Sequence, residues 1–159
     1  MAQIAPQDNR SYFVLPQAYE GGGYYTYGLP GSGRSQYAHP ALISLLMQVA
    51  TRWCGMEQRK FGVGDISLAN GIPHPDHRSH RNGLQVDIRP LRKDGKELAC
   101  SRLSAEYDRD GTAKLIGLFG AIDQVQRIFF NDHSISGVRP YARHDDHFHV
   151  EVRVSKGKL

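Results

Sequence analysis

The chain has 159 residues, 40% of them hydrophobic and 23% charged, with a formal net charge of +4. That length suits one domain with its own core, and the composition excludes disordered and fibrous classes. No stretch approaches the ~18 consecutive apolar residues of a membrane span. The mild basic excess favours polyanionic surroundings such as nucleic acid, anionic membranes or wall polymers, without choosing among them. Cys54 and Cys100 form no CxxC pair and are expected to be free thiols. The opening "MAQIAPQDNRSYFVLPQ" has no basic segment followed by an apolar one, so no signal peptide is expected.

Residues 1–38 are rich in Gly, Tyr, Pro and Ser and predict an irregular arm, with Tyr24, Tyr25 and Tyr27 fastening it to the body. Residues 39–154 form the core of the domain. In "PALISLLMQVATRW" (40–53), Leu42, Leu45, Leu46 and Val49 follow an i, i+3, i+4, i+7 pattern, which predicts an amphipathic helix, and Pro40 suits its first turn. Leu115, Leu118, Phe119 and Ile122 predict a second helix over 111–123. Strands are predicted at 61–68, 84–90, 125–130 and 147–154. Without regular βαβ alternation, this is an α+β fold: a small, largely antiparallel sheet flanked by two or more helices.

Two of these strands carry polar residues on one face. In "HFHVEVRV" (147–154), Phe148, Val150, Val152 and Val154 alternate with His147, His149, Glu151 and Arg153. In "LQVDIRP" (84–90), Leu84, Val86 and Ile88 alternate with Gln85 and Asp87. If both strands lie in one sheet over one core, Asp87 shares a polar face with His147 and His149.

Six of the eight histidines fall in two patches, His74, His77 and His80 in one and His144, His147 and His149 in the other. Such clustering beside aspartates points to metal binding, where a lone histidine would not. Imidazole and carboxylate without nearby cysteine suit a catalytic zinc site with an open position rather than a closed structural one. Zinc would acidify a bound water to a pKa of about 7 and polarise a carbonyl. Chemistry alone leaves the ligands open: His80, Asp87, His144, His147 and His149 compete for three positions. His74, His77, His133, Asp145 and Asp146 are weaker alternatives.

"SHRNGLQVDI" (79–88) and "VRPYARHDDHFHV" (138–150) resemble segments of the penicillin-insensitive murein endopeptidases, relatives of lysostaphin-type and D-alanyl-D-alanine zinc peptidases. "QRIFFND" and "RSQYAHP" extend the resemblance to roughly residues 34–154. It implies a single metallopeptidase domain over 1–159, with Zn²⁺ held by His80, Asp87 and His149. It also implies that His147 acts as general base and acid, supported by His144, which either orients water or stabilises the oxyanion. Arg81, Gln85 and Asp146 are expected at the rim.

The implied reaction is hydrolysis of peptidoglycan cross-links, D-alanine to meso-diaminopimelate or diaminopimelate to diaminopimelate. Lacking a leader, such an enzyme would reach the periplasmic wall from the cytoplasm as a phage endolysin or an injected effector. An effector would bring an inhibitor or immunity protein as partner. The alternatives are a zinc peptidase cutting L-alanine to D-glutamate, a metal-dependent nuclease, or a wall-binding module without activity. The leading reading expects peptidoglycan as partner, with no nucleic acid and no stable membrane insertion.

Overall fold

A computed structural model describes residues 7–17, 21–28 and 33–154. The expectation of an irregular arm therefore lies partly outside the described residues. Within them the arm carries three short strands: β1 (Phe13–Val14), β2 (Tyr24–Thr26) and β3 (Tyr37–Ala38). Helix α1 (Pro40–Cys54) follows, then β4 (Phe61–Val63), a 3-10 turn at Ala69–Gly71, β5 (Gln85–Ile88), α2 (Arg109–Gly120), β6 (Val125–Phe129) and β7 (Phe148–Val152). β1 and β3 pair antiparallel in a sheet of their own. The main sheet has the order β2-β4-β5-β7-β6, antiparallel except for the parallel pair β2–β4. The fold is α+β, as its sequence pattern predicts.

Each helix is closed by its own cap. His39 Nδ1 accepts from the Ala41 N–H at 3.0 Å, with Pro40 in the first turn, where a missing N–H costs nothing. Asp108 caps α2 by accepting from Gly111 N–H at 3.0 Å. Leu42, Leu45, Leu46, Val49 and Trp53 of α1 and Leu115, Ile116 and Phe119 of α2 are buried. Trp53 meets Phe61 of β4 edge to face, and Phe119 meets both Phe61 and Phe148. Both helices therefore cover one face of the sheet, over Val86, Ile88, Val150 and Val152. The opposite face is left for polar residues. Val154 departs from expectation: β7 ends at Val152, and Val154 is 46% exposed instead of joining the core row. No helix is long and apolar enough to cross a membrane among the described residues. Cys54 is exposed, Cys100 is buried, and both are free.

Arg59 ties the start of α2 to the sheet. It donates to Asp108 at 2.7 Å, to the Arg92 carbonyl at 2.9 Å and to Glu57 at 2.8 Å. The bond from Arg59 holds the Glu57 carboxyl down at about 2. A depressed carboxyl stabilises the fold above its unfolded value and loses that contribution as pH falls through its folded value. Arg59→Met is expected to cost roughly 1–2 kcal/mol at pH 7, since these are charged but partly solvated bonds. The cost should shrink as pH falls from about 4.5 toward about 2. Urea unfolding of both proteins at pH 7 and pH 3 measures it.

Candidate functional site

The polar face of the sheet forms the floor of an open cleft of about 770 Å³, lined by residues from both histidine patches. Register builds its centre. β5 and β7 pair so that Asp87 faces His149 directly, with Val86 opposite Val150 on the core side. Asp87 Oδ1 lies 2.9 Å from His149 Nδ1. His80 reaches the same point from the loop before β5, its Nε2 3.1 Å from His149 Nδ1 and 3.2 Å from Asp87 Oδ1. All three residues are buried.

His80 is held by its backbone as much as by its ring. Its φ is +56°, a left-handed conformation uncommon outside glycine. Its N–H donates to Gln85 Oε1 at 2.6 Å, and Gln85 Nε2 in turn donates to Glu151 at 3.3 Å. Gln85 thus acts beneath His80 rather than at the rim. His80 Nδ1 lies 3.1 Å from the Ile66 carbonyl, an acceptor only, so the ring proton sits there and Nε2 carries a lone pair.

That tautomer tests the fit of a metal. A lone pair of His80 faces a carboxylate oxygen and another imidazole nitrogen. His149 Nδ1 lies 2.9 Å from Asp87 Oδ1, and its Nε2 is 3.7 Å from Glu151 Oε1, beyond hydrogen-bond distance. His80 Nε2, Asp87 Oδ1 and His149 Nδ1 converge at edges of 2.9, 3.1 and 3.2 Å, and all three are ligand atoms once His149 carries its proton on Nε2. Tetrahedral zinc with bonds of about 2.0–2.1 Å separates its ligands by roughly 3.3 Å. The donor set fits such an ion. Burial pushes the Asp87 carboxyl up, but the adjoining His149 and His80 imidazoles outweigh it and hold the group well below the usual carboxylate range.

Gln85→Leu tests the support of this triangle. It keeps the side-chain bulk but leaves the His80 N–H without its acceptor. Metal affinity is expected to fall about 10–100-fold, the usual cost of losing an outer partner of a ligand. Competition with a chromophoric chelator reads the change.

His147 and His144 flank the triangle. His147 Nδ1 bonds Asp146 Oδ1 at 2.7 Å, and its Nε2 lies 3.8 Å from Asp87 Oδ1. The His144 ring stacks 4.7 Å from that of His147, and its Nδ1–H donates to the Ala142 carbonyl at 2.9 Å. Burial pulls the His144 pKa down.

The remaining candidates separate. His77 Nε2 bonds Asp65 Oδ2 at 2.8 Å and lies 3.6 Å from Asp87 Oδ2. The Asp65 bond raises the His77 pKa. His77, His80 and Asp87 are also close enough to share an ion, as are Asp65, His74 and His77. The nearer partner of His77, however, is Asp65. His74 Nδ1 accepts from the Asp76 N–H at 3.1 Å, so its proton sits on Nε2. That buried Nε2 has no hydrogen-bond partner among the described residues and lies 3.7 Å from Asp65 Oδ2. In this tautomer His74 is a donor, not a ligand.

Arg81 is not at the cleft: its guanidinium turns to the Gly71 carbonyl, and its own carbonyl accepts from Arg10. Asp145 pairs with Arg102 at 2.6 Å, and His133 is exposed elsewhere. Sequence reasoning missed Asp65, Tyr27 and Arg89, all in the cleft wall. For Asp65, the only signal was a single acid inside the apolar run "FGVGDISL".

Fold and site define a protein with a His/Asp cluster, fit for a metal, in an open cleft. The chain belongs to the penicillin-insensitive murein endopeptidase family, whose profile matches residues 18–116. That match takes in His80 and Asp87 but ends before His144, His147 and His149; the β5–β7 register sets His149 opposite Asp87, and His144 and His147 line the same cleft. The chain is similar to the penicillin-insensitive murein endopeptidase of Salmonella paratyphi C (strain RKS4594), 28% identical over 164 residues, covering 79% of this chain. Its counterparts from Salmonella paratyphi B and Salmonella newport are equally similar. The chain spans 57% of the length of these relatives.

Proposed function

We propose that this protein is a zinc-dependent endopeptidase that hydrolyses amide bonds in the peptide cross-links of peptidoglycan. The observation that carries the reading is the convergence of His80 Nε2, Asp87 Oδ1 and His149 Nδ1 on one point, with the His147–Asp146 pair beside it. Family membership supplies the substrate class.

His80 Nε2, Asp87 Oδ1 and His149 Nδ1 would hold the ion. When bound, zinc acidifies a water and polarises the scissile carbonyl. His147 handles the protons. Asp146 fixes its Nδ1–H, which leaves Nε2 open toward the site. Nε2 takes one proton from the attacking water and delivers it to the leaving amine as the amide C–N bond breaks. His144 is neutral near pH 7, because burial lowers its pKa. With Nδ1–H committed to Ala142, its Nε2 is an acceptor. An acceptor orients water but cannot donate to an oxyanion. Of the two roles open from the sequence, we therefore assign His144 to water.

Purified sacculi digested with the zinc-loaded protein test the reading, with released muropeptides identified by mass. The expected product is uncrossed stems from D-alanine–diaminopimelate or diaminopimelate–diaminopimelate dimers. New L-alanine or D-glutamate ends would move the cleaved bond. Intact sacculi alongside nicked plasmid DNA would replace the peptidase with a nuclease.

A further inference from the structure

The alternation that sends Gln85 and Asp87 to the cleft face continues past the end of β5. Arg89 N–H still donates to the Gly62 carbonyl at 3.0 Å, so residue 89 keeps strand register beside β4. Its side chain therefore leaves on the same face as Asp87, two residues and roughly 6.6 Å along. Arg89 lines the cleft together with Asp87 and His147.

What lies under Arg89 is built for it. β4 carries glycine at position 62, and Gly64 follows its last residue. A Cβ at Gly62 would come within 2.8 Å of the Tyr25 ring, and one at Gly64 within 2.5 Å of the Tyr27 ring. The two phenol rings thus lie directly on bare backbone. The guanidinium carbon of Arg89 sits 3.8 Å from the centroid of the Tyr27 ring. This stacking and a hydrogen bond with the Tyr25 hydroxyl hold the guanidinium in place, and the in-plane N–H groups that Tyr25 does not use face a planar, two-toothed acceptor.

Of the five acids that line the cleft, all but Asp76 are engaged by other residues. Asp65 is taken by Ser35 and His77, Asp87 by the two histidines, Asp146 by His147, and Glu151 by Arg127 at 2.6 Å. Arg89 pairs with no carboxylate among the described residues, although it is partly buried. Its partners are two phenols, Tyr25 by a hydrogen bond and Tyr27 by stacking, so an incoming anion would be its first oppositely charged partner.

We propose that Arg89, stacked on Tyr27, is the specificity residue of the site and binds a free carboxylate of the stem peptide beside the scissile amide. The inference rests on the endopeptidase reading. In a D-alanine–diaminopimelate cross-link, the carbon bearing the amide nitrogen also bears a carboxylate. That group lies within a few ångströms of the reacting carbonyl, a distance matched by the short step from Asp87 to Arg89. Arg89 orients the amine side of the bond and selects substrates that carry the negative charge.

Two purified cross-linked dimers test it, one with that carboxylate free and one with it converted to the carboxamide. The zinc-loaded full chain is expected to cleave the carboxamide with kcat/KM lower by about 10–100-fold, the range set by losing one charged bidentate contact. R89Q is expected to cleave both dimers at similar, reduced kcat/KM, mainly through a higher KM, with unchanged zinc content. R89K should recover part of the preference. Equal cleavage of both dimers by the wild-type protein, or a preference that survives in R89Q, overturns the assignment and leaves the endopeptidase reading standing. Cleavage of neither dimer by the wild type overturns both. The wild-type comparison decides the matter even where R89Q does not fold.

Discussion

His149→Ala is expected to release the metal and abolish hydrolysis in one step. His149 Nδ1 is the corner of the donor triangle closest to Asp87 Oδ1, at 2.9 Å. Two donors remain after the change, too few for a three-ligand catalytic site. Loss of an outer partner already costs about 10–100-fold in metal affinity, and loss of a direct ligand should exceed that. The buried Asp87 carboxylate also loses one of the two histidines that hold it ionised, so some stability should go with it. Elemental analysis after dialysis and muropeptide release are the readouts. A variant that keeps full metal content would remove His149 from the ligand set.

His147→Ala is expected to do the opposite: metal stays and turnover goes. The His147 side chain is 20% exposed and bonds Asp146, itself 68% exposed. Its removal therefore strands no buried polar group, and the fold should hold. Loss of a positioned general base and acid lowers kcat by about 10²–10⁴-fold. KM should change little, because no ligand or substrate-binding group is removed. Asp146→Asn should give a smaller loss, since it disturbs only the orientation of the ring. Equal metal content and equal activity in His147→Ala and His149→Ala would contradict the division of roles.

Much of this site was legible in the sequence because β-strand alternation is rigid. A single period-2 pattern in 147–154 placed His149 opposite the core row, and a second in 84–88 did the same for Asp87. The helices followed from one apolar stripe each, although α2 begins at Arg109 and ends at Gly120 rather than spanning 111–123. The pattern overreached where the strand stopped, and Val154 turned out to solvent. β2 was hidden for the opposite reason. Its Gly- and Tyr-rich surroundings read locally as turns, and only pairing with Phe61–Val63 makes Tyr24–Thr26 a strand. Arg89 was invisible for a related cause. Its meaning depends on Tyr27, which lies sixty-two positions earlier and meets it only across β4. Clustering alone could not rank His74 and His77 against the other histidines, because the count of histidines says nothing of which nitrogen carries the proton. Bonds to Asp76 N–H and to Asp65 settle that, and both depend on loop conformation.

The most direct test of the account is anomalous diffraction at the zinc absorption edge from crystals of the zinc-loaded protein. One strong peak is expected within bonding distance of His80 Nε2, Asp87 Oδ1 and His149 Nδ1, with His147 Nε2 outside that distance. A peak centred on Asp65 and His77 instead, or none in the cleft, would contradict it.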